Sequence, residues 1–356
     1  MNRKAFTILV LIAGICVILA IVGQGRVGTG SIAGDLAGTV FLPRLGSDVD
    51  TVEQILVAGG ARQRLVSLEL RNNDWMVAEL GGYPVERNLV NTLLIALAEA
   101  RIVEEKTANP EFHARLGVEE IDAAEAAGLE ITLVTEDSDR YAIVLGHSYA
   151  GSQRYARFPE SNQSLLIDRN PEIPRNPSDW VATNITDVAA DRVQRVEIAH
   201  ADGERLVIQK EARGDDNFSI INLPAGRELQ YAGVANVTGN VLENLNLEDV
   251  SRRPEADPDA IVVSEFWTFD GLVVEARSTT TGDANPWLHF SARFDADQAL
   301  AFATGPADDI ESAIDVIAEA DRINTQLADW RYRIASYQTS QLTRRMEDLL
   351  QAEVDE

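Results

Sequence analysis

TVEQILVAGGARQRLVSLEL (residues 51–70) and RVQRVEIAHADGERLVIQKE (residues 192–211) are two versions of one pattern. Val52, Ile55, Val57, Arg64, Leu65 and Val66 of the first stand where Val193, Val196, Ile198, Arg205, Leu206 and Val207 stand in the second. Apolar and polar residues alternate on both sides of a short polar break. That is the period of a half-buried strand, whose successive side chains point to opposite faces. Asp202-Gly203 is a two-residue hairpin signal. Each stretch predicts a hairpin, and the recurrence predicts an internal repeat.

Working outward, a third strand follows in each copy, at Asp74-Trp75-Met76-Val77 and at Asn217-Phe218-Ser219-Ile220. Leu89, Leu93 and Leu97, with Val90, Leu94 and Ile102, then recur at helical spacing, and Val234, Val237, Val241, Leu245 and Leu247 read the same way. More strands are expected at 129–135 and 141–145, echoed at 261–267 and 272–276. Tyr155-Ala-Arg-Phe158 matches Ser291-Ala-Arg-Phe294. The expected body is therefore α+β: two tandem pseudo-repeats, 51–168 and 191–294, each a mostly antiparallel sheet with a packed helix. A Pro-rich linker, 169–190, joins them through Asp179-Trp180. Residues 295–356 read as a helical insertion, a short strand at Trp330-Arg-Tyr-Arg-Ile334 and a C-terminal helix bearing Leu342, Met346, Leu349 and Leu350.

Before the repeats lies an uncharged apolar run at residues 6–23, preceded by Arg3 and Lys4. As a helix it would reach about 27 Å, close to the hydrocarbon thickness of a bilayer. It reads as an N-terminal transmembrane helix with residues 1–5 as a cytoplasmic tip. Ala20-Ile21-Val22 lacks a cleavage pattern, although Val22-Gly23-Gln24-Gly25 leaves cleavage open. Ile15 before Cys16 does not fit a lipidation signal. The basic residues before the run place the N-terminus inside and the body in the periplasm of a bacterial inner membrane. Residues 24–50, rich in Gly, Ser and Thr, read as a flexible linker.

The chain has 57 acidic and 31 basic residues, a net charge of −26, and only three lysines, Lys4, Lys106 and Lys210. Such a surface repels phosphate backbones, which excludes nucleic acid as a partner. The single cysteine lies within the apolar run, so the body has neither a disulfide nor a cysteine nucleophile. His113, His147, His200 and His289 have no metal-ligand spacing, and His147 and His200 read as exposed turn residues. Hydrolase, P-loop and EF-hand signatures are all missing. No catalytic, cofactor or metal residue is assigned on these grounds. Of the five tryptophans, Trp287 after Asn285-Pro286 is the candidate ligand or partner contact.

Several short motifs occur in a telling order: Asn73-Asp74-Trp75-Met76, "Ala-Arg-Ile-Val" at 100–103, "Leu-Gly-Val" at 116–118, "Asp-Trp-Val" at 179–181, "Ala-Asp-Arg-Val-Gln-Arg-Val-Glu-Ile" at 190–198 and "Trp-Arg-Tyr-Arg-Ile-Ala-Ser-Tyr" at 330–337. Together they resemble the family called domain of unknown function 4340 (DUF4340). The second copy departs from the pattern, with Phe218 where the first has Trp75. The resemblance implies no activity and no catalytic residue. It implies a context: envelope partners of ABC-type exporters of the gliding-motility kind. The expected function is thus that of a membrane-anchored periplasmic accessory or scaffold protein, binding rather than catalysing. Its expected partners are the inner membrane, through residues 6–23, and an ABC-type permease or other envelope protein. Exposed strand edges and a groove between the repeats would supply the surfaces. The alternative is an envelope glycan- or peptide-binding module, or a hydrolase with a site assembled from distant residues.

Overall fold

The structure, a computed structural model, describes residues 36–255, 261–279, 285–303 and 308–352. The first sheet contains β1 (Val52–Ala58), β2 (Arg64–Arg71), β3 (Asp74–Val77), β4 (Tyr83–Pro84), β5 (Ile102–Glu105), β6 (Leu129–Thr135), β7 (Arg140–Tyr149), β8 (Gln153–Arg157) and β9 (Ser164–Ile167). Its order is β4-β3-β2-β1-β6-β7-β8-β9-β5. The second contains β10 (Asn184–Thr186), β11 (Val193–His200), β12 (Arg205–Gln209), β13 (Ser219–Ile220), β14 (Leu245–Arg252), β15 (Val262–Thr268), β16 (Leu272–Ser278), β17 (Leu288–Phe294) and β18 (Trp330–Ile334). Its order is β10-β14-β18-β17-β16-β15-β11-β12-β13. Both sheets are antiparallel throughout.

Read from opposite ends, the two orders coincide over eight strands: β3-β2-β1-β6-β7-β8-β9-β5 corresponds to β13-β12-β11-β15-β16-β17-β18-β14. Registers coincide too. Ala58 faces Arg64 as Ala199 faces Arg205, but a bulge between Val57 and Ala58 then sets Val57 against Val66 where Ile198 faces Leu206; Ile131 faces Ile143 as Ser264 faces Ala276. Val144 faces Arg157 as Arg277 faces His289. Arg157 therefore corresponds to His289, and the motif match that aligned it with Arg293 is out of register.

The fold is mostly β, which corrects the α+β expectation. Two nine-stranded sheets dominate, and five of the seven described helices have seven residues or fewer. No helix of the described residues is long and apolar enough to cross a membrane. The run at 6–23, and with it the expected transmembrane helix, lies outside the described residues. The helix expected over Val234–Leu247 positions shrinks to Asn236–Gly239, and Leu245–Arg252 is a strand. Asn236, Thr238, Gly239 and Asn240 are weak helix formers, and Leu245 and Leu247 bury alternately, as strand residues do. The C-terminal helix is confined to Ser336–Leu342, followed by a 3-10 turn at Met346–Leu349. Leu342, Met346, Leu349 and Leu350 are nonetheless all buried.

The two sheets are covered from different parts of the chain. Helix Arg87–Glu99 buries Val90, Leu93, Leu94 and Leu97 against the first. For the second, helix Asp308–Leu327 arrives between β17 and β18 and buries Val316, Ala320, Ile323 and Leu327. Asn324 on that helix stands in for a strand. Its Nδ2 donates to the Ala292 carbonyl at 2.7 Å, and its Oδ1 accepts from the Ala292 amide at 2.8 Å. This closes the edge of β17 where β18, paired only at Leu288–Tyr332, has diverged. Residues 36–50 are not free linker: Phe41, Leu42 and Leu45 are buried, and Val40 bridges to Arg101 beside β5.

The Pro-rich stretch is likewise part of the core. Trp180 is fully buried, its indole N–H donates to the Pro174 carbonyl at 3.0 Å, and its own carbonyl accepts from Glu86 N at 2.8 Å. Tyr83 of β4 meets Trp330 edge-on at 4.8 Å and Tyr332 at 6.3 Å. One hydrophobic cluster runs through both sheets. The groove expected between the repeats is filled.

An ion network ties the second covering helix down. Arg192 donates to Asp270 at 2.9 Å and to both oxygens of Glu319, at 3.1 and 2.8 Å. Burial opposes ionisation of Asp270, but the Thr268 hydroxyl and Arg192 outweigh it and hold the carboxyl below its ordinary range. Such a group stabilises the fold above its unfolded pKa and loses that contribution as pH falls through the folded one. Arg192→Met should therefore cost about 3 kcal/mol at neutral pH, with the gap to the wild type narrowing below about pH 4. Urea denaturation at both pH values measures this. Trp180→Ala removes the largest side chain of the junction and should cost about 3–5 kcal/mol. Limited proteolysis should then cut between residues 168 and 190, a segment resistant in the wild type.

Candidate functional site

The β5–β6 connection, residues 106–128, does more than join two strands. It crosses the outer face of the first sheet. His113 Nε2 bonds the Asn162 carbonyl at 2.9 Å near its start, and the Arg62 amide donates to Ile121 O at 3.1 Å near its end. Two glycines permit the close approach. A Cβ on Gly146 would stand 2.2 Å from Leu116 O, and one on Gly60 would stand 2.5 Å from Ala124 O. The corresponding β14–β15 connection, residues 253–261, is much shorter in sequence.

Under the crossing segment a concavity of about 600 Å³ remains open to solvent. Its floor is small because Thr132 of β6 and Ala142 of β7 face each other there. The equivalent pair in the second sheet is Glu265 and Glu275, whose long side chains would fill the space. The walls come from five places: Leu42 before β1, Arg62 in the β1–β2 turn, Glu120 on the crossing segment, Glu130, Arg140 and Tyr141 on the strands, and Phe158, Pro159 and Glu160 in the β8–β9 turn.

Arg157 fixes this geometry. Its side chain is fully buried. Nε donates to Val118 O on the crossing segment at 2.7 Å. Nη1 donates to the carbonyls of Phe158 and Pro159 at 3.2 Å and Ser161 at 2.9 Å, and Nη2 lies 3.0 Å from Glu120 Oε1. One guanidinium thus joins two walls. A buried cation is tolerated only when its donors are satisfied, and a planar five-donor fork suits this task. The sheet itself does not require it, since His289 occupies the equivalent place and bonds Trp330 O at 3.0 Å.

The remaining charges divide into two groups. Arg62 is paired with Asp122 and lies 3.6 Å from Glu130. Arg140 and Glu160 make no ion pair among the described residues. Desolvation, together with the hydrogen bond donated to Asp48 and that carboxylate's charge, pushes the Tyr141 hydroxyl up to about 12. Tyr141 is accordingly a hydrogen-bond donor at neutral pH and not a base.

Trp287 lies elsewhere, half-buried at the start of β17. The guanidiniums of Arg331 and Arg333 each sit 4.5 Å from its ring, and its carbonyl accepts from Thr279 N at 3.2 Å. A ligand stacking on this indole would compete with those arginines. His200 is not an exposed turn residue: it is buried and bonds Arg344 O at 3.2 Å. Among the described residues no group of three or more His, Cys, Asp or Glu is placed to hold a metal. The concavity's residues were not singled out by the sequence. The nearest signal was Arg157 itself, an arginine at the end of an otherwise half-buried strand.

A two-sheet antiparallel β protein with one locked concavity is the class these observations define. The chain belongs to the family described as "Domain of unknown function (DUF4340)", whose model matches residues 75–263, just over half its length. The matched region begins in β3 and ends in β15, so it takes in the crossing segment, Arg157, Tyr83 and Trp180. No curated protein and no solved structure matches the chain significantly.

Arg157→Met should lower stability by about 3–5 kcal/mol, because a buried network loses its central partner. Hydrogen exchange should localise the loosening to the amides of residues 118–121 and 158–161, with the second sheet unaffected.

Proposed function

We propose that this chain is a non-catalytic accessory subunit of an envelope ABC-type transport system, with its body on the periplasmic side of the inner membrane and the concavity of the first sheet as its binding site. The observation that carries the binding role is the Arg157 lock, a buried charge that organises two walls of a solvent-open concavity and that the fold does not need at the equivalent position. Function-bearing geometry held by a buried supporting residue is the arrangement a binding site requires. The concavity's volume also falls in the range of small-ligand sites.

Binding is favoured over hydrolysis by the chemistry of the walls. Glu120 is paired with Arg157 and Glu130 lies beside Arg62, Tyr141 stays protonated, and the lining holds no serine, cysteine or histidine. Nothing there pairs a nucleophile with a base. The transport context rests on the family resemblance, and the envelope address on the apolar run at residues 6–23 with basic residues before it. Mild crosslinking of native membranes followed by affinity purification of the full chain should recover a permease and its ATPase in fixed ratio. Recovery of the protein alone, at every crosslinker concentration, would remove the transport assignment.

A further inference from the structure

We propose that the concavity binds a short peptide with free termini, its carboxylate on Arg140, its ammonium on Glu160 and an apolar side chain against Phe158 and Tyr141. This rests on the reading of the concavity as a binding site. Of the charged groups lining it, Arg62, Glu120 and Glu130 already have partners of opposite charge within the protein. Arg140 and Glu160 are the two of opposite sign left without an ion pair among the described residues. A ligand carrying one charge of each sign satisfies both and adds no net charge. A singly charged ligand could pair only one of the two, whereas a ligand with one charge of each sign pairs both Arg140 and Glu160. Phe158, Tyr141 and Leu42 pack against the core and present their remaining apolar surface to the concavity, which suits a side chain and not a bare ion. A volume of about 600 Å³ accommodates two or three residues with their bound water.

The small floor makes the same point from the other sheet. Replacing Thr132 and Ala142 by the equivalents of Glu265 and Glu275 would abolish the space, and the turn that carries Glu160 is held by a buried arginine only where the space exists.

The test uses the full chain and the tripeptide Ala-Phe-Ala, with its N-acetyl and C-amide forms, titrated by calorimetry. The unmodified tripeptide should bind saturably, and each blocked form at least tenfold more weakly. Arg140→Gln should bind the tripeptide and its amide equally, and Glu160→Gln should bind it and its acetyl form equally. Ala142→Trp, which fills the floor, should abolish binding. Both charge variants lie at exposed positions, so they report even if Ala142→Trp fails to fold. The absence of saturable binding, equal binding of the blocked forms, or indifference to both charge variants would overturn the proposal. If a neutral oligosaccharide such as chitotriose binds instead and Ala142→Trp abolishes it, the binding site stands and the peptide assignment falls. Co-purification with a transporter is independent of every one of these results.

Discussion

Everything in this molecule is arranged around the need to bury one face of two long sheets at a single junction. Tyr83, Trp180, Trp330 and Tyr332 meet there, drawn from a short edge strand, the inter-repeat segment and a late strand of the second sheet. Aromatic side chains suit this role because each brings a large apolar area and the edge-to-face contact adds to it. Desolvation, with the neighbouring Tyr83 hydroxyl, holds the Tyr332 phenol well above its usual range, so the junction stays uncharged. Once it is filled, the two bodies form one core and relative movement between them is opposed. The binding role proposed above would therefore use outer surfaces and not a groove between the repeats.

Those outer surfaces differ although the strand orders agree. The first sheet carries Leu56, Thr132, Ala142 and Val144 on the outside, apolar or small, and the crossing segment lies over them. The second carries a row of three glutamates, Glu197, Glu265 and Glu275, directly opposite one another on adjacent strands. Like charges so placed repel. Each is answered by arginine: Arg195 and Arg205 at Glu197, Arg293 at Glu265 and Arg277 at Glu275. Glu197 is nonetheless buried, and Glu265 and Glu275 are partly exposed. The same architecture therefore yields one face with a cavity and another of interleaved charge, and the residues carried on the strands make the difference.

Much of the strand framework could be read from the chain. Period-two burial in β1 and β12 follows from side chains alternating across a sheet, and Asp202-Gly203 turns the chain as such a pair should. Helix Arg87–Glu99 is legible because leucines four apart share a face. The segment around Val234, Val237 and Val241 shows the same spacing, yet asparagine, threonine and glycine leave it little propensity. Gly239 packs so closely on Phe218 that a Cβ there would stand 2.2 Å from the ring. Spacing alone could not reveal that. The site was hidden for a different reason. Arg62, Glu120, Thr132, Arg140 and Glu160 are far apart in sequence; strand pairing brings some together, and the burial of Arg157 joins the crossing segment to the β8–β9 turn, which no local pattern records. The tripeptide motif around Arg157 even misled, because register pairs it with a histidine four positions away from its apparent match.

The placement of β18 has a consequence for how the chain is made. Trp330–Ile334 lies between β14 and β17, so it is the strand that attaches β14 and β10 to the rest of the second sheet. The first sheet can close soon after Trp180 has been synthesised. The second must wait about 150 residues longer, with one edge of β17 and one of β14 unpaired while the last segment is still being made. Open edges of this kind recruit other strands. The acidic chain, with its mutual repulsion, gives that interval some protection. Order of synthesis thus makes the C-terminal strand, and not the N-terminal repeat, the step at which a nascent molecule is most exposed to misassembly.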